Sequence, residues 1–139
     1  MSSSKIRLAF GIIWIISGIT KFIQLIVGVL IDKEIASFTF QAFAKLCIVP
    51  FYTDIIVTYF IPMAILFIFL AGLFEIIAGS LILQAGSRVK LGLVIGIAIN
   101  LAYAPLAGIG TIIINILFII PQAWLLTQEV SQNLFQCRK

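Results

Sequence analysis

The sequence contains no histidine, and only five of its 139 residues are acidic. Without histidine the chain lacks the commonest metal ligand, the usual haem ligand and the side chain that most readily changes charge near neutral pH. Its two cysteines, Cys47 and Cys137, stand far apart and outside any CxxC spacing, so neither a zinc knuckle nor a redox dithiol is indicated. No metal site is expected. Charge of either sign is scarce, at 10% of residues, while 63% are hydrophobic and the mean hydropathy is +1.25. A soluble domain of this length has too much surface to cover with so little polar material. The reading is an all-α integral membrane protein, with residues 1–139 forming one transmembrane domain.

Four apolar runs define the expected spans: residues 8–31, 55–83, 91–106 and 109–126. The first is too long for the h-region of a signal peptide. At 1.5 Å per residue it covers about 36 Å, enough to cross a bilayer with some tilt. Residues 35–50 are too mixed to span, because Phe38, Phe40, Phe43, Leu46 and Ile48 alternate with Ser37, Thr39, Gln41 and Lys45. They suit a short interfacial amphipathic helix between spans 1 and 2, closed by Pro50, with Tyr52 and Tyr59 at headgroup level. Pro62 falls near the outer end of the second run, where it opens a first turn or kinks the helix. Residues 84–90 form a basic turn. Pro105, Gly108 and Gly110 separate the last two runs, against a three-span alternative that merges them.

With the N-terminus inside, the cytoplasmic side holds Lys5, Arg7, Arg88, Lys90, Arg138 and Lys139, and the outer side only Lys33 and Lys45. That bias gives a membrane four-helix bundle with both termini cytoplasmic. The net charge of +4 is thus a matter of topology, and no nucleic-acid partner is expected. The bilayer itself is the first partner. The address is left open between the plasma membrane of a prokaryote and an organelle membrane.

Two ionisable residues, Lys21 and Glu75, lie within apolar runs. A charge at mid-bilayer costs about 2.5–3.5 kcal/mol on insertion scales, so such groups turn inward and find partners. Counting from the cytoplasmic ends, Glu75 lies about 14 Å deep, Asn100 about 15 Å, Asn115 about 18 Å and Lys21 about 20 Å. Each span contributes one strongly polar residue to a common layer, with Ser17 and Ser80 about one turn from the ion-pair residues. Two readings stand open. The layer is either a buried ion pair with amide hydrogen bonds that fixes helix register, or a polar pocket that holds a ligand headgroup such as a quinone carbonyl or relays a proton. Gly11 and Gly18, Gly72 and Gly79, and Gly92 and Gly96 mark small-residue faces for close helix approach. Trp14 and Trp124 read as packing or belt residues.

Two blocks carry a family resemblance. The first is Arg7-Leu8-Ala9-Phe10-Gly11 followed by Ser17-Gly18-Ile19-Thr20-Lys21-Phe22. The second runs from Gly72-Leu73-Phe74-Glu75 through Gly79 to Leu83, then Gly86 and Arg88. With its GxxKF ending to the first block and its ExxxG helix before a glycine–arginine turn, the chain resembles the DoxX-like family of small four-helix membrane proteins. The turn Gly86-Ser87-Arg88 is one residue tighter than the family pattern. The resemblance implies a quinone-linked membrane role, in the setting of terminal oxidases and thiosulfate:quinone oxidoreductases, with Lys21, Glu75 and Arg88 as matched positions. No haem ligand set, flavin motif or iron–sulfur spacing is present, so no cofactor is assigned by motif and a quinone is the candidate ligand. The expectation is an accessory subunit of a membrane oxidoreductase or respiratory complex, associated with other membrane subunits and not an enzyme alone. A proton-coupled small-solute transporter, with Glu75 as its titrating carboxylate, and a purely structural or assembly factor are the alternatives.

Overall fold

The computed structural model describes residues 3–128, and these residues are all-helical, without strands. Cys137, Arg138 and Lys139, with the rest of the expected polar tail, lie outside the described residues. Helix α1 is Ser3–Leu30, α2 is Lys33–Leu46 and α3 is Pro50–Ile55, which runs into a π-helical segment at Ile56–Phe60. Helices α4 (Ala64–Ile82), α5 (Ser87–Tyr103) and α6 (Gly108–Leu126) complete the order. Three of them, α1, α4 and α6, are long and apolar enough to cross a membrane. Helix α5 spans only 17 residues and carries Arg88 and Lys90 in its first turn, so it falls outside that set.

Several boundaries differ from the sequence reading, each for a backbone reason. The run 55–83 is not one helix. Pro62 has no N–H to donate and its ring crowds the carbonyl four residues back, so the ladder fails there. Ile61 N–H instead reaches Ile56 O, five residues back, at 2.9 Å, and the regular helix restarts at Ala64. Pro50 does not close the interfacial helix. Helix α2 already ends at Leu46, and Pro50 occupies the first turn of α3, where its missing N–H costs nothing. Helix α5 starts and stops earlier than the run 91–106. Gly86, at φ 65°, reverses the chain directly before Ser87, and the helix ends two residues before Pro105.

Helices α1 and α4 pack antiparallel, α5 lies against α4, and α6 lies against α5. A Cβ on Gly18 would sit 2.7 Å from Gly72 O, and one on Gly72 would sit 3.1 Å from Gly18 O. Gly11 and Gly79 are paired in the same reciprocal way, since a Cβ on Gly79 would stand 2.6 Å from Gly11 O. Seven-residue spacing on both helices therefore makes two backbone-to-backbone contacts in one register. In lipid, where apolar burial gives no drive for helix association, such close packing is a main source of adhesion.

Two apolar cores result. One gathers Phe10, Trp14, Ile82, Val89, Leu93 and Leu125 around the α1 start and the α4–α5 turn. The other gathers Ala36, Phe40, Ile56, Ala64, Ile68 and Leu106 at the opposite end, where α2 lays Ala36, Phe40, Phe43 and Ala44 onto the bundle. Among the described residues, the first end carries Lys5, Arg7, Arg88 and Lys90 and no acid. The second end carries Lys33 and Lys45 with Asp32, Glu34 and Asp54.

Candidate functional site

Between the two cores lies the polar cluster. Glu75 falls seven residues from Ile68 in one core and seven from Ile82 in the other, on the same helix face, and its side chain is fully buried. Lys21 Nζ stands 2.7 Å from Glu75 Oε1 and 2.8 Å from Oε2. Ser17, one turn earlier on α1, accepts a third bond from Nζ at 3.3 Å. An ammonium has three protons, and here it has three acceptors.

Tyr103, at the end of α5, completes the arrangement. Its hydroxyl donates to Glu75 Oε1 at 3.0 Å, while Lys21 Nζ lies 5.5 Å from its ring centroid. One side chain therefore meets the anion with its O–H and the cation with its π-face. The sequence reading did not single out Tyr103. The signal was its position three residues after Asn100, which places both on one face of α5.

A second polar node sits one to two turns towards the basic end. Trp14 Nε1–H points to Gln122 Oε1 at 3.4 Å, a long contact, and Gln122 Nε2 donates to Phe118 O at 3.0 Å. Gly96 makes room for both, since a Cβ there would overlap Gln122 Oε1 and lie 2.9 Å from Trp14 Nε1. Trp14 is thus a core residue with a polar task, not a belt residue, whereas Trp124 is 43% exposed. Gln122 was also not singled out. It lies seven residues after Asn115 on α6, so both share a face.

Of the two asparagines, Asn100 lies on α5 between Gly96 and Tyr103, and Asn115 lies on α6 seven residues before Gln122. Asn115 is buried, and its Nδ2 donates to Thr111 O on its own helix at 2.8 Å. Asn100 is 5% exposed, and its Nδ2 has no hydrogen-bond partner. The remaining expected site residues are elsewhere. Ser80 is exposed: it follows Glu75 by five residues, about 140° around the helix. Arg88 is exposed and bonds Gln84 Oε1 at 3.0 Å, about 18 Å of helix from Asn100.

Among the described residues, no three His, Cys, Asp or Glu side chains gather as a metal-binding group. A cleft of about 700 Å³ opens between the end of α1, the start of α2 and residues 61–69, lined by Leu25, Ser37, Met63, Leu66 and Phe69. It includes no member of the polar cluster. Comparison of the chain with protein-family models, curated proteins and solved structures gave no match.

Proposed function

We propose that this chain is a four-span integral-membrane subunit of a quinone-linked redox or respiratory assembly. Helices α1, α4, α5 and α6 cross the bilayer, α2 lies at the outer interface, and both termini face the cytoplasm. The charge asymmetry of the two bundle ends supports that orientation, since the end that among the described residues carries four cations and no acid is the one that stays inside. Arg88 and Lys90 in the first turn of α5 reach the headgroups along their own stems, which lets a 17-residue helix serve as a span.

The observation that carries the functional reading is the intramembrane ion pair. Lys21 and Glu75 are costly at this depth, and intramembrane ionisable groups mark ligand or proton pathways by default. Asn100 adds a neutral hydrogen-bond donor beside the pair, while the Tyr103 hydroxyl is committed to Glu75; such a donor in an apolar setting is the equipment needed to hold a carbonyl-bearing headgroup. The chain then serves as an anchor for partner subunits and as one wall of their quinone site. A second reading rests on the saturation of Lys21: three protons with three acceptors describe an internal brace as well as a site.

Native mass spectrometry of tagged protein in mild detergent tests the first reading. Stoichiometric partner subunits carrying redox cofactors, with quinone retained, are the expected result. A monomer or homo-oligomer without partners or quinone, together with full assembly by the Lys21→Met/Glu75→Leu variant, would instead establish the brace.

A further inference from the structure

A survey of donor atoms within the cluster separates those that have a partner in the protein from the one buried nitrogen that has none. Lys21 gives its three protons to Glu75 Oε1, Glu75 Oε2 and Ser17 Oγ. Tyr103 has a single O–H, and Glu75 takes it. Trp14 has a single N–H, directed at Gln122, and Gln122 gives Nε2 to Phe118 O. Asn115 gives Nδ2 to Thr111 O. Asn100 Nδ2 is buried and bonds nothing in the protein.

A buried donor left unmade costs about 1–3 kcal/mol, and a leucine of similar volume would avoid the cost. Its position is also particular. Gly96, one turn before it, faces Trp14 of α1 and Gln122 of α6, and Tyr103, one turn after it, reaches Glu75 of α4. Asn100 therefore stands on the interior face of α5 between two polar nodes, with apolar cores above and below.

We propose that Asn100, not Lys21, is the residue that contacts the ligand: its Nδ2–H donates to a neutral acceptor oxygen, a carbonyl on an otherwise apolar molecule taken from the bilayer. Lys21, Glu75 and Tyr103 are positioning residues that hold α1, α4 and α5 around it. An anionic ligand would have to break the Lys21–Glu75 pair to gain a cation, whereas a neutral carbonyl leaves the pair intact. The specificity is thus for carbonyl over carboxylate. This assignment rests on the quinone reading above.

The test uses the full chain in nanodiscs with decylubiquinone as probe, read by isotope-edited infrared spectroscopy of the quinone carbonyls and by equilibrium binding. The expected result is a downshifted carbonyl band in the wild type. Asn100→Leu should lose that shift and bind about tenfold more weakly, the value of one net hydrogen bond, with a melting temperature equal to or above wild type. The last readout shows that the variant is folded. Retained shift and affinity in Asn100→Leu, with loss of both in Lys21→Met/Glu75→Leu, would overturn the assignment while leaving the quinone reading in place. Absence of any binding by the wild type, both as the lone chain and in the assembly purified with it, overturns both. A shift produced equally by diolein ester carbonyls, with no preference for the quinone, keeps Asn100 as the donor but assigns the site to lipid and removes the quinone reading.

Discussion

Replacing Glu75 by glutamine removes one charge and reverses one hydrogen-bonding group. The glutamine oxygen still accepts from Lys21 or Tyr103, but its NH2 presents donors to an ammonium that is itself only a donor. Lys21 thus keeps Ser17 and one amide oxygen, and loses its counter-charge. Breaking a buried pair from one side costs about 3–5 kcal/mol in proteins. Lys21 retains 24% side-chain exposure, so a value discounted below that range for solvent screening, about 2–3 kcal/mol, applies here. Lys21→Met alone strands the fully buried carboxylate and belongs at the upper end. The double variant Lys21→Met/Glu75→Leu removes both charges and leaves only the Tyr103 hydroxyl without its acceptor, a deficit of about 1 kcal/mol. Adding Tyr103→Phe to the double variant should recover that remainder. The assay is reversible unfolding in mixed micelles, followed by the fluorescence of Trp14, which is 5% exposed. A cycle closed with the single variants Lys21→Met and Glu75→Leu should return a coupling energy of about 2 kcal/mol or more. Neutral interhelical hydrogen bonds in membranes average about 0.6 kcal/mol, so a coupling at or below that value refutes the claim that an ionised pair holds α1 to α4.

Gly79→Ala places a methyl group 2.6 Å from Gly11 O and 2.9 Å from Ile15 N, so the helices must separate; a loss of about 1–3 kcal/mol is expected in the same unfolding assay. Gly110→Ala meets nothing within 4 Å on the first turn of α6 and should be neutral or stabilising by up to about 1 kcal/mol, which makes it the control. Tyr103→Phe alone should cost about 1–2 kcal/mol by the same measure, since it withdraws one of the donors to a buried carboxylate. For orientation, Ser87→Cys and Asp54→Cys, each exposed, are placed in a chain whose native cysteines are serine. An impermeant maleimide should label the first only in inside-out vesicles and the second only in right-side-out ones.

Helices α1 and α6 were legible because apolar residues dominate each run from end to end, and α6 begins within one residue of the apolar run that marks it. The second run was not, because Ile55, Ile56, Val57, Phe60 and Ile61 are as apolar as the helix that follows. Hydropathy registers lipid compatibility, while the break is made by the absent N–H of Pro62. Lys21 and Glu75 stood out because charge is rare in such surroundings. Tyr103 and Gln122 carry no charge, and their role depends on which face of α5 and α6 turns inward, information that resides in helix phase. Ser80 shows the opposite failure. Proximity in sequence to Glu75 placed it in the layer, but five residues turn it away from the interior.

The glycine contacts and the ion pair are one device. Gly18 against Gly72 and Gly11 against Gly79 fix a single antiparallel register for α1 and α4. In that register Lys21, three residues after Gly18, meets Glu75, three residues after Gly72. Sliding α1 by one turn away from Glu75 would move Lys21 about 5.4 Å further along the axis and leave both charges unpaired in hydrocarbon. The opposite slide would set Ile15 against Gly79 and Ile76 against Gly18, positions that only a glycine backbone tolerates. The charges penalise one slide, and the close glycine packing blocks the other. Tyr103 then ties α5 to that fixed pair, and Gly96 admits Trp14 and Gln122 from α1 and α6. The position of Asn100 between these two nodes follows from contacts that α5 makes on either side of it. A ligand held there would therefore meet a donor already fixed in place, and its binding would not have to order the helices around it.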